Sequence, residues 1–256
     1  MEQDSEAHEQ KSRRGIYLLP NMITTAGLFA GFYAIVAAMG GRYEPAAVAI
    51  FVAMVMDGID GRVARLTNTQ SEFGVQYDSL SDMICFGLAP ALVMYEWSLS
   101  AMTSVGWAKL GWLAAFIYTA GGALRLARFN AQVASAEKRF FRGLPSPSAA
   151  GVMAGFVWVG VDVGIHGMDV VYLAFILTIA IGLLMVSNVH YYSFKEFDFK
   201  NRVPFTVILL VVMVYVFASI DPPKVLFSGF LVYTLSGIVY TLARLRMRRR
   251  TRNPGG

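Results

Sequence analysis

The sequence predicts an all-α, polytopic membrane protein with about eight transmembrane helices and both termini on the cytoplasmic side. Three observations lead to this prediction. The chain is 56% hydrophobic and 15% charged, with a mean hydropathy of +0.52, whereas soluble domains carry roughly 25% charged residues. Eight apolar stretches approach the ~20 residues that a spanning helix requires. The basic residues are concentrated in alternate loops, as is typical of loops retained in the cytoplasm.

The eight predicted spans follow one another along the chain with short loops between them. They lie near 21–40, 45–65, 74–96, 107–127, 147–164, 169–188, 203–220 and 225–244. This order places 19 of the 22 lysine and arginine residues on the side of the N-terminus, the exceptions being Arg42, Lys109 and Lys224. The fifth span is short and glycine-rich, but omitting it would move the arginine-rich tail to the other side. Small residues are also common where membrane helices pack closely, so we retain this span.

The two ends of the chain are polar. The composition of residues 1–15 predicts a disordered tail, and no cleavable signal peptide is predicted there. The composition of residues 246–256 predicts a basic cytoplasmic tail. Pro20 is expected to break any helix before the first span, so the segment that precedes it is interpreted either as an interfacial helix or as a plain topogenic flank. The net charge of +5 is assigned to the topology-setting loops, and no nucleic-acid partner is predicted.

Four aspartates occur where the second and third spans meet on the cytoplasmic side. Because residues of an α-helix are separated by about 100°, Asp57 and Asp60 share one face of the second span. Asp78 and Asp82 are one turn apart on the third span and also share a face. Two antiparallel helices joined by a short polar turn can therefore direct all four carboxylates at one point.

These carboxylates would repel one another strongly in a low-dielectric environment, so the cluster predicts a bound cation. Oxygen ligands without a neighbouring histidine or cysteine favour Mg²⁺ or Mn²⁺. Two such ions would suit displacement at phosphorus, and Gly61 and Gly74 would let a ligand approach the helix backbone. The alternatives are carboxylates that cap helix ends and a transporter's cation site. The position near one end of the spans, beside a basic loop, favours an anionic substrate that arrives from the cytoplasm.

The spacing resembles the signature of the CDP-alcohol phosphotransferase family. It reads Asp57-x-x-Asp60-Gly61-x-x-Ala64-Arg65, then eight residues, then Gly74-x-x-x-Asp78-x-x-x-Asp82. The resemblance covers approximately the first six spans and implies a catalytic core at 16–196, followed by two further spans at 197–245. It implies transfer of a phosphatidyl group from CDP-diacylglycerol, or a related CDP-linked donor, to an alcohol. It also implies release of CMP, a pair of divalent cations and a homodimer.

Within this family the chain looks most like the membrane-embedded enzymes that use L-serine as acceptor. The blocks that carry this likeness are LPNMITTAG (19–27), FGLAPA (86–91), RLARFN (125–130), FRGLPSPSAA (141–150) and MVSNVHYYSFK (185–195). One departure is Asn188, where a basic residue is expected after Met-Val-Ser. Glycerol 3-phosphate, inositol phosphate and choline remain alternative acceptors, and a cation transporter is the alternative from another class. The implied location is a bacterial cytoplasmic membrane, with the active site facing the cytoplasm and an archaeal membrane as the alternative.

The resemblance also implies roles for single residues. The metal ligands would be Asp57, Asp60, Asp78 and Asp82, with Asp82 also acting as general base. The CDP-binding residues would be Gly61, Ala64, Arg65, Gly74 and Asp78. The candidates for binding the acceptor or phosphate are Arg125, Arg128, Asn130, Arg142, Ser146, Lys195, Asn21 and Thr24. The basic residues among these candidates can alternatively serve topology, and Ser146 can alternatively cap the helix that follows.

Overall fold

The computed structural model describes residues 2–103, 106–132, 140–192, 213, 216–217 and 219–252, and these residues are mostly α-helical. The helices are α1 (Glu2–Met39), α2 (Tyr43–Leu66), α3 (Glu72–Asp82), α4 (Ala89–Trp97), α5 (Ala108–Gln132), α6 (Ser146–Asp162), α7 (Val171–Val186) and α8 (Pro222–Arg252). A π-helical segment, Met83–Leu88, joins α3 directly to α4, and a 3₁₀ turn, Leu99–Thr103, follows α4. The described residues also include two short strands, β1 (Phe140–Arg142) and β2 (His190–Tyr192).

The structure is that of a largely α-helical membrane protein. Within the described ranges, three helical stretches are long and apolar enough to cross a bilayer, namely Leu18–Met39, Lys109–Ala131 and Pro222–Arg244, and α7 is a shorter apolar helix. The helix α2 is long enough, but the charges of its motif lower its hydropathy. Helices lie at seven of the eight predicted spans, and the span at 203–220 falls mostly outside the described residues. The number of spans and the side of the termini stay predictions.

The N-terminal region differs from the prediction. The helix α1 begins at Glu2 and continues through Pro20, so the segment 2–15 is helical and Pro20 does not end a separate interfacial helix. The segment is rich in strong helix formers such as Glu, Gln and Ala. Proline removes a single backbone hydrogen bond, a loss that helices in membranes tolerate.

The strands β1 and β2 are an exception to the all-α prediction. They pair antiparallel, with Phe140, Phe141 and Arg142 opposite Tyr192, Tyr191 and His190. Three residues are too few to show an alternating pattern, which is why the sequence did not reveal them. The pairing continues as Gly143 N donates to Val189 O at 2.8 Å and Leu144 N donates to Leu184 O at 3.1 Å. These contacts fix the start of α6 against the end of α7.

Small residues allow the helices to approach closely. Buried alanines line the contact between α1 and α2. A Cβ atom added to Gly182 of α7 would lie 2.8 Å from the Cα of Tyr118 in α5, and one added to Gly31 of α1 would lie 2.7 Å from the Sγ of Cys85. Such backbone-level contacts are typical of helices that pack in a membrane. They bring α1, α2, α3 and α5 together around the aspartates.

Candidate active site

The structure brings the four aspartates of the motif to one narrow cavity. Asp57, Asp60 and Asp78 each place a carboxylate oxygen within 4.8 Å of the other two. Asp82 lines the same cavity, and its carboxyl group is within hydrogen-bonding reach of Asp57. The predicted convergence of carboxylates is therefore confirmed for Asp57, Asp60 and Asp78, which have the mutual spacing of ligands to a common ion.

The turn between α2 and α3 explains how the two pairs of aspartates come to face each other. Asn68 has a φ of 56°, a left-handed conformation that asparagine tolerates better than most residues. The hydroxyl groups of Thr67 and Thr69 lie 2.7 Å apart across the turn. Ser71 then caps α3, because its Oγ accepts a hydrogen bond from Gly74 N at 3.0 Å. The chain reverses over a few polar residues, and α3 then packs mainly against α1.

Asp60 is the most enclosed of the four and is oriented by a threonine of α1. Its side chain is 4% exposed. The hydroxyl of the buried Thr24 donates to Asp60 Oδ2 at 2.6 Å, and the Thr24 hydroxyl oxygen also lies 3.1 Å from Pro20 O. The sequence predicts Thr24 as a candidate for binding the acceptor or phosphate, whereas the structure gives it the Asp60 carboxylate as its nearer partner and the Pro20 carbonyl as the other. Thr24 therefore fixes the direction of a metal-competent carboxylate.

Two buried side chains of the third predicted span close the inner end of the cavity. The hydroxyl of Ser81 lies 3.5 Å from Thr24 O, and the thiol of Cys85 donates to Gly27 O at 3.3 Å. Both contacts attach this span to α1 beside the aspartates. The sequence assigned no role to Ser81, although its position between Asp78 and Asp82 was an available signal. Cys85 is buried, and its contact is that of a packed thiol.

The two glycines of the motif lie in different surroundings. A Cβ atom at Gly61 would meet no other atom within 4 Å, so open space borders α2 there. A Cβ atom at Gly74 would lie 3.1 Å from Ser71 Oγ and 3.5 Å from Asn21 Oδ1. Gly74 thus accommodates the cap of α3 and brings Asn21 of α1 to the same place. Gly61 has the space for a ligand that the sequence predicted.

Arg65 and Ala64 lie near the open side of α2. The guanidinium Nε of Arg65 donates to Gly61 O at 2.9 Å, within its own helix. Arg65 is exposed and Ala64 is half-buried. The remaining guanidinium nitrogens of Arg65 therefore face the same solvent-accessible region as Gly61.

Helix α5 brings two of the candidate acceptor-binding residues to the aspartates. Arg125 interacts electrostatically with Asp82, and its Nη1 donates to Ser146 Oγ at 2.7 Å. Asn130 Nδ2 donates to the hydroxyl of Ser79, the neighbour of Asp78, at 3.0 Å. The alternative in which Ser146 caps α6 is wrong. The N-cap residue is Pro145, which has no side-chain capping bond, and Ser146 serves Arg125 instead.

The other candidates lie elsewhere or outside the described residues. Arg128 Nη2 donates to Asn188 Oδ1 at 2.9 Å, and its Nη1 lies 3.4 Å from Val186 O. Asn188, where the family pattern predicts a basic residue, thus accepts a hydrogen bond from the cationic side chain of Arg128. A basic residue at this position would be repelled by Arg128. Arg142 is exposed in β1 opposite His190. Lys195 lies outside the described part of the chain.

The donor set fits a hard divalent cation. The three converging ligand atoms are all carboxylate oxygens, which Mg²⁺ and Mn²⁺ prefer over softer ligands. The nearby thiol of Cys85 is directed to a backbone carbonyl. Carboxylates enclosed this closely repel one another, and a cation among them removes that repulsion. The arrangement can therefore bind a divalent ion and, through it, an anionic ligand entering beside Gly61.

Comparison with known proteins gives a consistent result. Residues 17–186 match the family model described as CDP-alcohol phosphatidyltransferase. A protein of Helicobacter pylori named CDP-diacylglycerol–serine O-phosphatidyltransferase is 31% identical over 234 residues, which cover 90% of this chain and 94% of the relative. A protein of the same name from Mycobacterium bovis is 38% identical over 162 residues, covering 60% and 54% of the two chains. An archaetidylserine synthase of Methanothermobacter thermautotrophicus is 32% identical over 175 residues, covering 68% and 69%.

The cluster predicts a specific response to divalent ions. We expect Mn²⁺ or Mg²⁺ to raise the melting temperature of the purified protein, because an ion at 100 times its Kd stabilises by about 2.7 kcal/mol. The Asp78→Asn variant should melt higher than the wild type without ions, since one repelling charge is gone, and should lose most of the ion-dependent shift. The measurement is thermal unfolding in detergent with and without each ion. The control is Asp162→Asn, which removes an aspartate paired with Lys224 outside the cluster. An unchanged shift in Asp78→Asn would contradict the assignment.

Proposed function

Since this chain belongs to the CDP-alcohol phosphatidyltransferase family, we propose that it transfers the phosphatidyl group of CDP-diacylglycerol to the hydroxyl of L-serine. The products are phosphatidylserine and CMP. The observation that carries the proposal is the convergence of Asp57, Asp60 and Asp78 within 4.8 Å, on a motif whose spacing is that of the family. The choice of serine is supported by the names of the relatives that match most of this chain.

The four aspartates are proposed as the ligands of two divalent cations, Mg²⁺ or Mn²⁺. Asp57, Asp60 and Asp78 supply the converging oxygens, and Asp82, which borders the same cavity, supplies the fourth carboxylate. When bound, the cations neutralise charge on the bridging phosphates of the donor. Thr24 keeps Asp60 in a fixed orientation through its 2.6 Å hydrogen bond, which reduces the reorganisation needed to form the site.

The donor nucleotide is proposed to lie along the open face of α2. Gly61 borders empty space there, and Ala64 is the small residue one turn further along. Arg65 has guanidinium nitrogens beyond its bond to Gly61 O that can donate to phosphate oxygens. Gly74 and Asp78 of α3 form the opposite wall, with Asn21 of α1 beside Gly74.

Asp82 is proposed as the general base. The serine hydroxyl attacks the phosphorus that carries the diacylglycerol oxygen, a new P–O bond forms, and the bond from that phosphorus to CMP breaks. The hydroxyl proton passes to a carboxylate. Asp82 is one turn further into the helical run than Asp78 and therefore lies nearer the lipid-borne end of the donor. Arg125 interacts with Asp82 and is placed to balance its charge.

Arg125 is proposed to bind the carboxylate of serine. Arg125 interacts electrostatically with Asp82 of the cluster, whereas Arg128 is directed to Asn188. A guanidinium group pairs well with a planar carboxylate. Ser146 holds one nitrogen of the Arg125 side chain at 2.7 Å, so the other nitrogens remain to receive the acceptor. Asn130 donates to the hydroxyl of Ser79, the neighbour of Asp78, and is proposed to border the same region.

The membrane arrangement is part of the proposal. Eight spans with both termini in the cytoplasm place the aspartates at the cytoplasmic mouth of a bacterial inner membrane, with a catalytic core at 16–196 and two additional spans at 197–245. The support is the asymmetric distribution of lysine and arginine along the chain. A homodimer is proposed on family grounds, and the small residues of several helices would permit its packing.

A panel of acceptors tests the function directly. We expect purified protein to release CMP from CDP-diacylglycerol in the presence of Mn²⁺ and L-serine. We expect much slower release with glycerol 3-phosphate, inositol phosphate or choline, because each lacks serine's paired carboxylate and ammonium. CMP and lipid products can be measured by chromatography. Preferred turnover of another acceptor would identify a sister phosphatidyltransferase. Absence of CMP release with every acceptor would reject the enzyme class and favour a cation-binding or transport protein.

The role of Asp82 can be separated from substrate binding. The Asp82→Asn variant should lose transfer by about 10²-fold or more, the usual scale for a general base, while it still binds CDP-diacylglycerol. The measurements are CMP release and binding of the donor to detergent-solubilised protein. A variant that transfers at near-normal rate would show that Asp82 is not the base. Loss of donor binding would assign Asp82 to the binding site alone.

The acceptor site can be tested with two matched arginine substitutions. Arg125→Lys keeps the charge but removes the planar fork, so we expect a rise in the KM for serine of about tenfold with little change in the KM for CDP-diacylglycerol. Arg128→Lys should change the KM for serine far less, because the structure directs Arg128 to Asn188. Steady-state kinetics in both substrates provide the measurement. A larger effect on serine from Arg128→Lys would transfer the carboxylate site to that residue.

A further inference from the structure

The π-helical segment Met83–Leu88 begins directly after Asp82, within one continuous helical run. π-helical turns, with hydrogen bonds from i to i+5, are rare and cost stability, and they are frequent at functional sites. Such a turn accommodates an extra residue relative to an α-helix. Because one residue corresponds to a rotation of about 100°, the segment determines how the face of α3 is rotated relative to the face of α4.

The face of α4 is fixed by the core. Ala89, Val93 and Trp97 of α4 are buried, so α4 cannot rotate without exposing them. If the segment relaxed to α-helical geometry with α4 in place, α3 would rotate by roughly 100°. Asp78 and Asp82 would then turn away from Asp57 and Asp60. The π turn is therefore a condition for the convergence of the four carboxylates.

Helix α5 holds the π turn through side-chain hydrogen bonds. The hydroxyl of Tyr118 donates to Phe86 O at 2.9 Å. The hydroxyl of Thr119 lies 3.3 Å from Gly87 O and 3.0 Å from Ala115 O of its own helix, so its contact to the turn is the weaker one. Tyr118 is fully buried. A Cβ atom at Gly122 would lie 3.3 Å from the Cα of Gly87, so the two backbones are close at this point. Packing alone would be served by phenylalanine, and the buried hydroxyl of Tyr118 is explained by its carbonyl partner.

Further along α5, two more polar side chains reach the segment that carries the aspartates. About two turns after Tyr118, Arg125 interacts with Asp82, and Asn130 then donates to Ser79 at 3.0 Å. Along α5, these polar contacts therefore reach Phe86, then Asp82 and finally Ser79, in the reverse of their order in the chain. They fix both the axial position and the rotation of the segment that carries Asp78 and Asp82.

We propose that Tyr118 is a positioning residue of the carboxylate cluster, which acts by stabilising the π-helical turn through its hydrogen bond to the Phe86 carbonyl. Tyr118 does not touch the cavity that the aspartates line. It acts through the direction of Asp78 and Asp82. The inference rests on the metal site of the proposed function, and it adds a determinant that lies outside the family motif.

The test compares two tyrosine-to-phenylalanine substitutions. Tyr118→Phe removes the hydrogen bond to the π turn. Tyr43→Phe removes an equivalent bond to the same helical run beyond the turn, because the Tyr43 hydroxyl donates to Glu96 O at 3.1 Å. Binding of Mn²⁺ alone is measured by electron paramagnetic resonance on detergent-solubilised protein, together with the melting temperature. This readout needs neither substrate nor turnover.

We expect Tyr118→Phe to raise the Kd for Mn²⁺ by about tenfold, which corresponds to about 1.4 kcal/mol and to the order of one buried hydrogen bond. Tyr43→Phe should lower the melting temperature similarly and leave the Kd within about twofold of the wild type. If both variants lose stability equally and bind Mn²⁺ as the wild type does, the hydroxyl is merely structural and the proposal is wrong. If the wild type itself does not bind Mn²⁺, the proposed metal site fails first.

A milder variant keeps the test decisive if Tyr118→Phe does not fold. Thr119→Val removes the longer contact to Gly87 O while keeping the shape of the side chain. We expect the Kd for Mn²⁺ to rise by about twofold to threefold in this variant, because a weaker contact to the same turn is lost. An unchanged Kd in folded Thr119→Val would then overturn the proposal.

Discussion

Repulsion among four carboxylates is the constraint on which this structure depends. Asp57, Asp60, Asp78 and Asp82 share one narrow cavity, where low dielectric makes their mutual repulsion costly. The surrounding helices hold them together against this repulsion. Thr24 donates to Asp60, and Arg125 of α5 interacts electrostatically with Asp82. The divalent ion proposed for this site would offset the remaining repulsion, because a cation between the carboxylates lowers their electrostatic energy.

The helices can hold the aspartates together because their backbones approach one another closely in the interior of the bundle. Gly31 and Gly182 admit neighbouring helices at distances that a side chain would prevent. Close backbones allow short side chains to reach carbonyl groups of adjacent helices, as Cys85 does to Gly27 O. In a membrane this matters because water does not compete for these groups. The helices are therefore held by packing and by polar contacts together.

Helix α5 connects the two halves of the proposed chemistry. Its Tyr118 holds the π turn, and its Arg125 lies between Asp82 and Ser146 at the start of α6. The start of α6 is in turn fixed by the small β1–β2 pairing and Gly143. An acceptor bound at Arg125 would therefore be held at a fixed distance from the metal ligands, because α5 contacts both. Such an arrangement would supply the fixed spacing between donor and acceptor that a transfer reaction requires.

The sequence by itself determined the membrane class, the helices and the convergence of α2 and α3. These follow from apolar length, the 3.6-residue period and the reversal at 67–71, all of which are local properties. The tertiary structure alone decided that Thr24 orients Asp60 and that Arg125 interacts with Asp82 while Arg128 binds Asn188. It also revealed the π turn. These features depend on how helices cross and which face each presents, and those angles are set by close packing between segments distant in the chain.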